Sequence, residues 1–242
     1  MPWRVGTSGW QYRDWRDAFY PAKLAQRQWL EYYAEVFDTV EVNNAFYRLP
    51  ERTVFESWKS RTPRGFVMTV KGSRYLTHVK RLNDPAEPVA RLLERCRGLG
   101  RKRGPILLQL PPNLKAAPLL LDATLKCFPR TVRVAVEPRH DTWWCEEVRE
   151  VLTRRRAALV WADRAEEPLN PLWATTDWGY LRLHHGKADW AYSPAALHGW
   201  AQRLQDSFDE GYVYTNNDPG GAAPRDALMM RRELGSFARL GQ

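Results

Sequence analysis

The sequence predicts a single (β/α)8 barrel, a TIM barrel, spanning residues 1–242, with an irregular or shortened helix between its sixth and seventh strands. Three observations lead there. Eight short runs rich in Val, Ile, Leu and aromatics alternate with helical stretches, the order of an α/β fold whose strands are covered on both faces. The length of 242 residues matches one such barrel, for which about 250 is ordinary. The competing doubly wound sheet usually carries a glycine fingerprint after its first strand, and Gly6-Thr7-Ser8-Gly9 lacks the G-x-G-x-x-G spacing.

The candidate strands, in order, are Trp3–Thr7, Thr39–Asn43, Phe66–Lys71, Pro105–Leu110, Val132–Glu137, Ala157–Ala162, Tyr180–His184 and Gly211–Thr215. Between the first two, Gln26–Phe37 places Trp29, Leu30, Tyr33, Ala34 and Phe37 on one helical stripe. Val54, Phe55 and Trp58 repeat that spacing after the second strand, and Val89, Leu92, Leu93 and Cys96 after the third. Leu197, Trp200, Ala201, Leu204 and Phe208 form the stripe before the eighth. The weak link is Asp163–Trp178, where Pro168 and Pro171 interrupt any helical period. No low-complexity linker divides the chain, so one domain is expected.

Composition narrows the function classes. Charged residues at 27% and hydrophobic ones at 44% are globular values, which exclude disorder, collagen and coiled coil. Cys96, Cys127 and Cys145 are odd in number and far apart, so neither a disulfide framework nor a zinc ribbon is indicated. The N-terminus has no apolar run of signal-peptide length and no segment has the length of a membrane helix, so a cytoplasmic protein without membrane partners is expected. The net charge of +9 favours anionic partners, nucleic acid among them, although much of it falls on helices where basic residues form a solvated face.

In a barrel the chemistry sits at the C-terminal ends of the strands, and here polar or charged residues end every one. Alternation along Thr39-Val40-Glu41-Val42-Asn43 puts Glu41 and Asn43 on the face opposite the valines, and Glu137 closes the fifth strand just before Pro138. A carboxylate on an interior face requires a counter-charge, and Lys71 and Arg182 supply candidates. Glu41, Glu137 and His184 are the expected catalytic groups, as two carboxylates and a strand-held imidazole for proton transfer. Lys71, His78, Gln109, Arg139, His140, Arg182, Asn43, Asn216, Asn217 and Asp218 are the expected substrate-binding set. Glu41, Lys71, Glu137 and Arg182 would equally serve as a structural ion-pair network. The long segment Gly72–Pro88, with His78 and the basic Arg74, Lys80 and Arg81, has the size of a binding loop. Neither H-x-E nor H-E-x-x-H is present, so no metal ligand is assigned and the cofactor is left unknown.

Several segments resemble one family. They are Gly6-Thr7-Ser8-Gly9-Trp10, Trp15 with Phe19-Tyr20-Pro21, Val40 to Pro50, Thr77-His78 with Arg81-Leu82, and Leu108-Gln109-Leu110-Pro111-Pro112. Ala135-Val136-Glu137 with Arg139-His140 and Trp143, Arg182-Leu183-His184 and Asn216-Asn217-Asp218 complete the set. In order and over nearly the whole chain, they resemble the YecE-like family, the domain of unknown function 72. That resemblance implies a TIM barrel and no settled activity; its likeness to barrels of the endonuclease IV and xylose isomerase type is a matter of fold alone. His185 is an addition to the Arg-x-His-Gly pattern of the family's seventh strand.

The expectation is therefore an enzyme with a polar, mixed-charge pocket that works by acid–base chemistry of the hydrolase, lyase or isomerase kind on a small anionic or sugar-like substrate. The alternative is a nucleic-acid-binding or processing barrel, with Trp10, Tyr12, Trp15, Trp143 and Trp144 available to stack on bases. A further variant makes those aromatics a sugar platform and the two glutamates a glycosidase pair.

Overall fold

The computed structural model describes residues 3–237. The strands are β1 (Trp3–Thr7), β2 (Thr39–Val42), β3 (Val67–Lys71), β4 (Arg103–Gln109), β5 (Val134–Glu137), β6 (Ala157–Leu159), β7 (Trp161–Arg164), β8 (Glu167–Pro168), β9 (Trp178–Leu183) and β10 (Glu210–Thr215). The helices are α1 (Trp29–Val36), α2 (Asn44–Tyr47), α3 (Arg52–Ser60), α4 (Ala86–Cys96), α5 (Pro118–Lys126), α6 (Glu146–Arg155), α7 (Pro194–Ser207) and α8 (Ala222–Phe237).

These strands do not close into a barrel, which corrects the TIM-barrel expectation. They form two five-stranded sheets in a mixed α/β fold, one in the order β1-β10-β9-β7-β8 and the other β2-β3-β4-β5-β6. The reason lies in the run Ala157–Ala162, which reads as one strand but acts as two. Ala157 to Leu159 pair in parallel with Val134 to Val136, and the Val160 amide still donates to the Val136 carbonyl at 2.9 Å. From Trp161 onward the backbone pairs instead with β9, with Trp161 opposite Leu181. β1 likewise meets β2 through a single parallel bridge, Ser8 to Glu41. Between β7 and β9 there is no helix, only the short antiparallel β8.

The chain divides into two compact units, residues 1–41 with 161–242, and residues 42–160. In the first, α1 buries Trp29, Leu30, Tyr33 and Ala34, the stripe its spacing requires, while Gln26–Gln28 tighten into a 3-10 turn ahead of it. α7 starts on Ser193, whose hydroxyl accepts from the Ala196 amide (3.2 Å), with Pro194 preset for the first helical position. It buries Leu197, Trp200, Ala201 and Leu204. In the second unit α3 buries Phe55 and Trp58 but leaves Val54 exposed, and α4 buries Val89, Leu92 and Cys96.

The Trp-rich composition is mostly core. Trp15, Trp29, Trp143, Trp161 and Trp200 are fully buried. Each indole N–H has an acceptor: the carbonyls of Asp218, Leu24, Leu114 and Trp173 for the first four, and the Asp163 carboxylate at 2.7 Å for Trp200. A buried indole left without such an acceptor would cost about 1–3 kcal/mol, so these bonds fix ring position as well as burial.

Candidate functional site

Strand alternation builds the centre of the first unit. On β9, Tyr180 and Arg182 are two residues apart and share a face; on β2, Thr39 and Glu41 do the same. Glu41 is 0% and Arg182 1% exposed. The Arg182 Nη2 donates to Glu41 Oε1 at 2.8 Å, the Tyr180 hydroxyl donates to Oε2 at 2.6 Å, and the Ser8 hydroxyl donates to Oε1 in a short contact. The same Nη2 also donates to Ser8 Oγ at 3.1 Å. An isolated buried carboxylate would cost several kcal/mol, which this set of donors and the facing guanidinium offset. Burial and the adjacent Glu41 charge push Tyr180 well above the ordinary phenol range, so it stays a donor. Glu41 is thus a saturated, fixed charge.

Asp218 is different. It begins the tight turn Pro219–Gly221, and its backbone is clamped: the Trp15 indole donates to its carbonyl at 2.9 Å, and the Gly220 amide donates to Asp14 at 3.1 Å. Gly220 and Gly221 take φ of 63° and 73°, left-handed values that other side chains rarely adopt. The carboxyl is mostly buried, and its Oδ1 meets no hydrogen-bond partner among the described residues. Its pKa is pushed up to about 7, first by burial, with Asp14 and Glu41 adding repulsion against the pull of Tyr12 and Arg182. Such a group changes protonation near neutrality. Close by in the chain, Asn216 Nδ2 donates to His184 Nδ1 at 3.1 Å, which leaves the proton of the neutral ring on Nε2.

The second unit carries the other half of the expected set. β4 and β5 pair with Gln109 directly opposite Glu137, so the Gln109 amide reaches the Glu137 Oε2 at 2.8 Å. Arg139 donates to Oε1 from Nε (3.2 Å) and Nη2 (3.1 Å). Glu137 is 2% exposed and Arg139 38%. Lys71, at the end of β3, sets its Nζ 4.3 Å from the centre of the Phe46 ring, a cation–π contact. His78 packs edge-on against the same ring, 5.0 Å between centres. It lies on the single π-helical turn Tyr75–Val79, closed by the Lys80 amide donating to the Tyr75 carbonyl at 2.8 Å.

The structure therefore brings Glu41, Arg182 and Asp218 together, pairs His184 with Asn216, and separately gathers Lys71 with His78 and Gln109 with Glu137 and Arg139. The remaining candidates have local work. Asn217 is fully buried and donates to the Trp190 carbonyl (2.8 Å) and the Asp226 carboxylate (2.7 Å). Asn43 precedes α2, and His140 caps the turn Asp141–Trp143 by accepting from the Thr142 amide at 3.2 Å. Among the described residues no three His, Cys, Asp or Glu side chains gather as a metal site. Trp10, Trp15 and Trp143 are buried, so of the aromatics considered for stacking only Tyr12 and Trp144 reach solvent.

Sequence reasoning passed over Tyr180 and Phe46 as site residues, and it counted Ser8 among the polar strand ends without giving it a role. Tyr180 had a usable signal, since it stands two residues before Arg182 on the same strand face. Phe46 follows Glu41 by five residues in a helix of four, too short to show a period.

Fold and site together define a mixed α/β protein organised around buried charge. A family model described as "Protein of unknown function DUF72" matches residues 4–240, and the chain belongs to that family. Among solved structures it is similar to the DUF72 family protein TM1631 of Thermotoga maritima MSB8, with 28% identity and a TM-score of 0.85 over 97% of this chain and 100% of that one. Two crystal structures of the DUF72 family protein EF0366 of Enterococcus faecalis V583 share the fold at 19% identity. Their TM-scores are 0.80 and 0.77, over 96% of this chain and 95% and 97% of theirs. No curated protein matches. Among the described residues no helix is long and apolar enough to cross a membrane.

Proposed function

We propose that this protein is an enzyme that transfers a proton through Asp218 to or from a small anionic or sugar-like substrate. The observation that carries this reading is the mostly buried Asp218 carboxyl, with an oxygen lacking a hydrogen-bond partner, beside the Glu41–Arg182 pair. A general acid or base works best with a pKa near the operating pH, and a value of about 7 meets that condition. Glu41 is the partner carboxylate: it does not move the proton but holds Arg182 and Ser8 in place and keeps negative charge near Asp218. Asn216 and the His184 ring, joined by their hydrogen bond, are the groups assigned to orient substrate hydroxyls. Glu137 plays the holding role for Arg139 in the second unit.

The test is turnover of a panel of sugar phosphates, sugar acids and aryl glycosides, followed by mass spectrometry between pH 5 and 9. For the substrate found, kcat/KM is expected to change through a midpoint near 7, and Asp218→Asn is expected to lose at least about 100-fold, the ordinary weight of general acid–base catalysis. Full activity in Asp218→Asn, or an unchanged pH midpoint, refutes the assignment.

A further inference from the structure

Trp190 is the exception among the tryptophans. It is 49% exposed, whereas nine of the twelve are buried and Trp144 and Trp173 are half-buried. It stands in the first unit, on the loop of residues 184–193 between β9 and α7. Asp189 and Trp190 take φ of 45° and 67°, left-handed values that a bulky side chain rarely adopts. Backbone strain of this kind persists where the surroundings enforce it, and it concentrates at ligand clamps and active sites.

Here hydrogen bonds on both sides of the residue enforce it. The Trp190 carbonyl accepts from the Gly186 amide (2.9 Å) and from Asn217 Nδ2 (2.8 Å). The Ala191 amide returns to the Ala188 carbonyl at 2.8 Å. The Tyr192 amide donates at 2.9 Å to Oδ2 of the fully buried Asp226, the same oxygen that Asn217 meets at 2.7 Å. The indole leans on the His185 ring, 5.3 Å between centres and 71° between planes. His185 is held in turn, its Nδ1 donating to the Gly186 carbonyl and Arg164 Nε donating to its Nε2, both at 3.0 Å. These anchors lead to the candidate site. Asn217 stands between Asn216 and Asp218 in the chain and His185 follows His184, so the indole is fastened to the ends of β9 and β10 that carry the proton-transfer and orienting groups. The charges beside it do not suit an anion. The segments 164–167 and 185–190, joined by the Ala165 amide donating to the His185 carbonyl (2.7 Å), carry Arg164 and Lys187 against Glu166, Glu167 and Asp189. Lys187 is divided between Glu166 (4.0 Å) and Glu167 (3.9 Å).

We propose that the Trp190 indole is a stacking platform for an uncharged sugar ring of the substrate on which Asp218 acts. This rests on the acid–base reading of Asp218 and narrows its substrate from anionic or sugar-like to sugar-like. The face of an indole is electron-rich and attracts C–H groups polarised by neighbouring oxygens, which one face of a sugar ring presents. Two cations against three carboxylates leave no positive excess for a phosphate or a sugar acid, and a neutral ring needs none. A platform works only if it is held still before the ligand arrives, since ordering it on binding would cost affinity. The left-handed backbone and its buried anchors do that holding.

The experiment is NMR titration of the intact protein with maltose, cellobiose and diacetylchitobiose, and with adenosine as an uncharged nucleoside. The Trp190 indole N–H signal is identified by its loss in Trp190→Phe. At least one of the three saccharides is expected to bind and to shift that signal. Trp190→Ala should weaken its binding at least about 10-fold, the scale of ring stacking on a protein aromatic. Trp190→Leu, which keeps apolar bulk without an aromatic face, should lose as much, while Trp190→Phe should stay within about 3-fold of the wild type. Equal saccharide binding by the wild type and the two non-aromatic variants overturns the proposal. So does the absence of binding by all three saccharides, or tighter binding of adenosine than of any of them. The two readings fail separately. Full turnover in Asp218→Asn with saccharide binding lost in Trp190→Ala overturns the proton-transfer role and leaves the platform, and the reverse pattern overturns the platform and leaves Asp218 in its role.

Discussion

Replacing Asp218 by Asn tests the local electrostatics without knowledge of the reaction. A carboxyl raised from 3.8 to about 7 by burial reverses the sign usual for acidic groups. Between pH ~4 and ~7 the folded chain keeps a proton that the unfolded chain has lost, so this group makes stability fall as pH rises through that window. At about 1.4 kcal/mol per pH unit the gap sets a ceiling of about 4 kcal/mol. Asp218 retains some contact with solvent, which screens the interaction, and about 2 kcal/mol is the working figure. Asn keeps the shape and cannot ionise. Asp218→Asn should therefore match the wild type at pH 4 and exceed it at pH 8.5 by about 2 kcal/mol, or about 4–8 °C in Tm for a chain of this size. The assay is thermal and urea unfolding of both proteins across that range, read as the difference between them. Asp163 and Asp226, also raised by burial, are common to both proteins and cancel. A difference that does not vary with pH, or a variant less stable at pH 8.5, refutes the reasoning.

Two further outcomes follow from buried contacts. Arg182→Met strips the guanidinium from a fully buried Glu41 and should cost about 3–5 kcal/mol in urea unfolding, whereas adding Glu41→Gln should recover part of that loss; additive single effects would show that the two charges are not coupled. At Gly186 an added Cβ would lie 1.7 Å from the Ala191 carbonyl oxygen, so Gly186→Ala should lose at least about 2 kcal/mol, while Gly65→Ala, with open space around it, should stay within about 0.5 kcal/mol. Equal melting of the two alanine variants would contradict this.

Much of the local structure could be read from residue order. The stripe of Trp29, Leu30, Tyr33 and Ala34 marks α1, and Leu197, Trp200, Ala201 and Leu204 mark α7, because burial of one helix face repeats with the helical period. Alternation placed Glu41 on the face opposite Val40 and Val42, and an interior carboxylate called for a cation such as Arg182, which the structure supplies. The division into two sheets could not be read in this way. The apolar run Ala157–Ala162 has the same pattern whether it stays with one neighbour or changes partners at Val160, since β-pairing joins residues far apart in sequence.

The same divide runs through the site. The sequence by itself determined where most strands and the helices α1, α3, α4 and α7 fall, which side chains share a strand face, and that polar residues end the strands. Only the tertiary structure decided that Glu41 is saturated by Ser8, Tyr180 and Arg182, that Asn217 is spent on Asp226, and that Asp218 holds its proton near neutrality. Periodicity is a property of neighbours along the chain, whereas desolvation and charge pairing depend on groups that meet only when distant segments fold together.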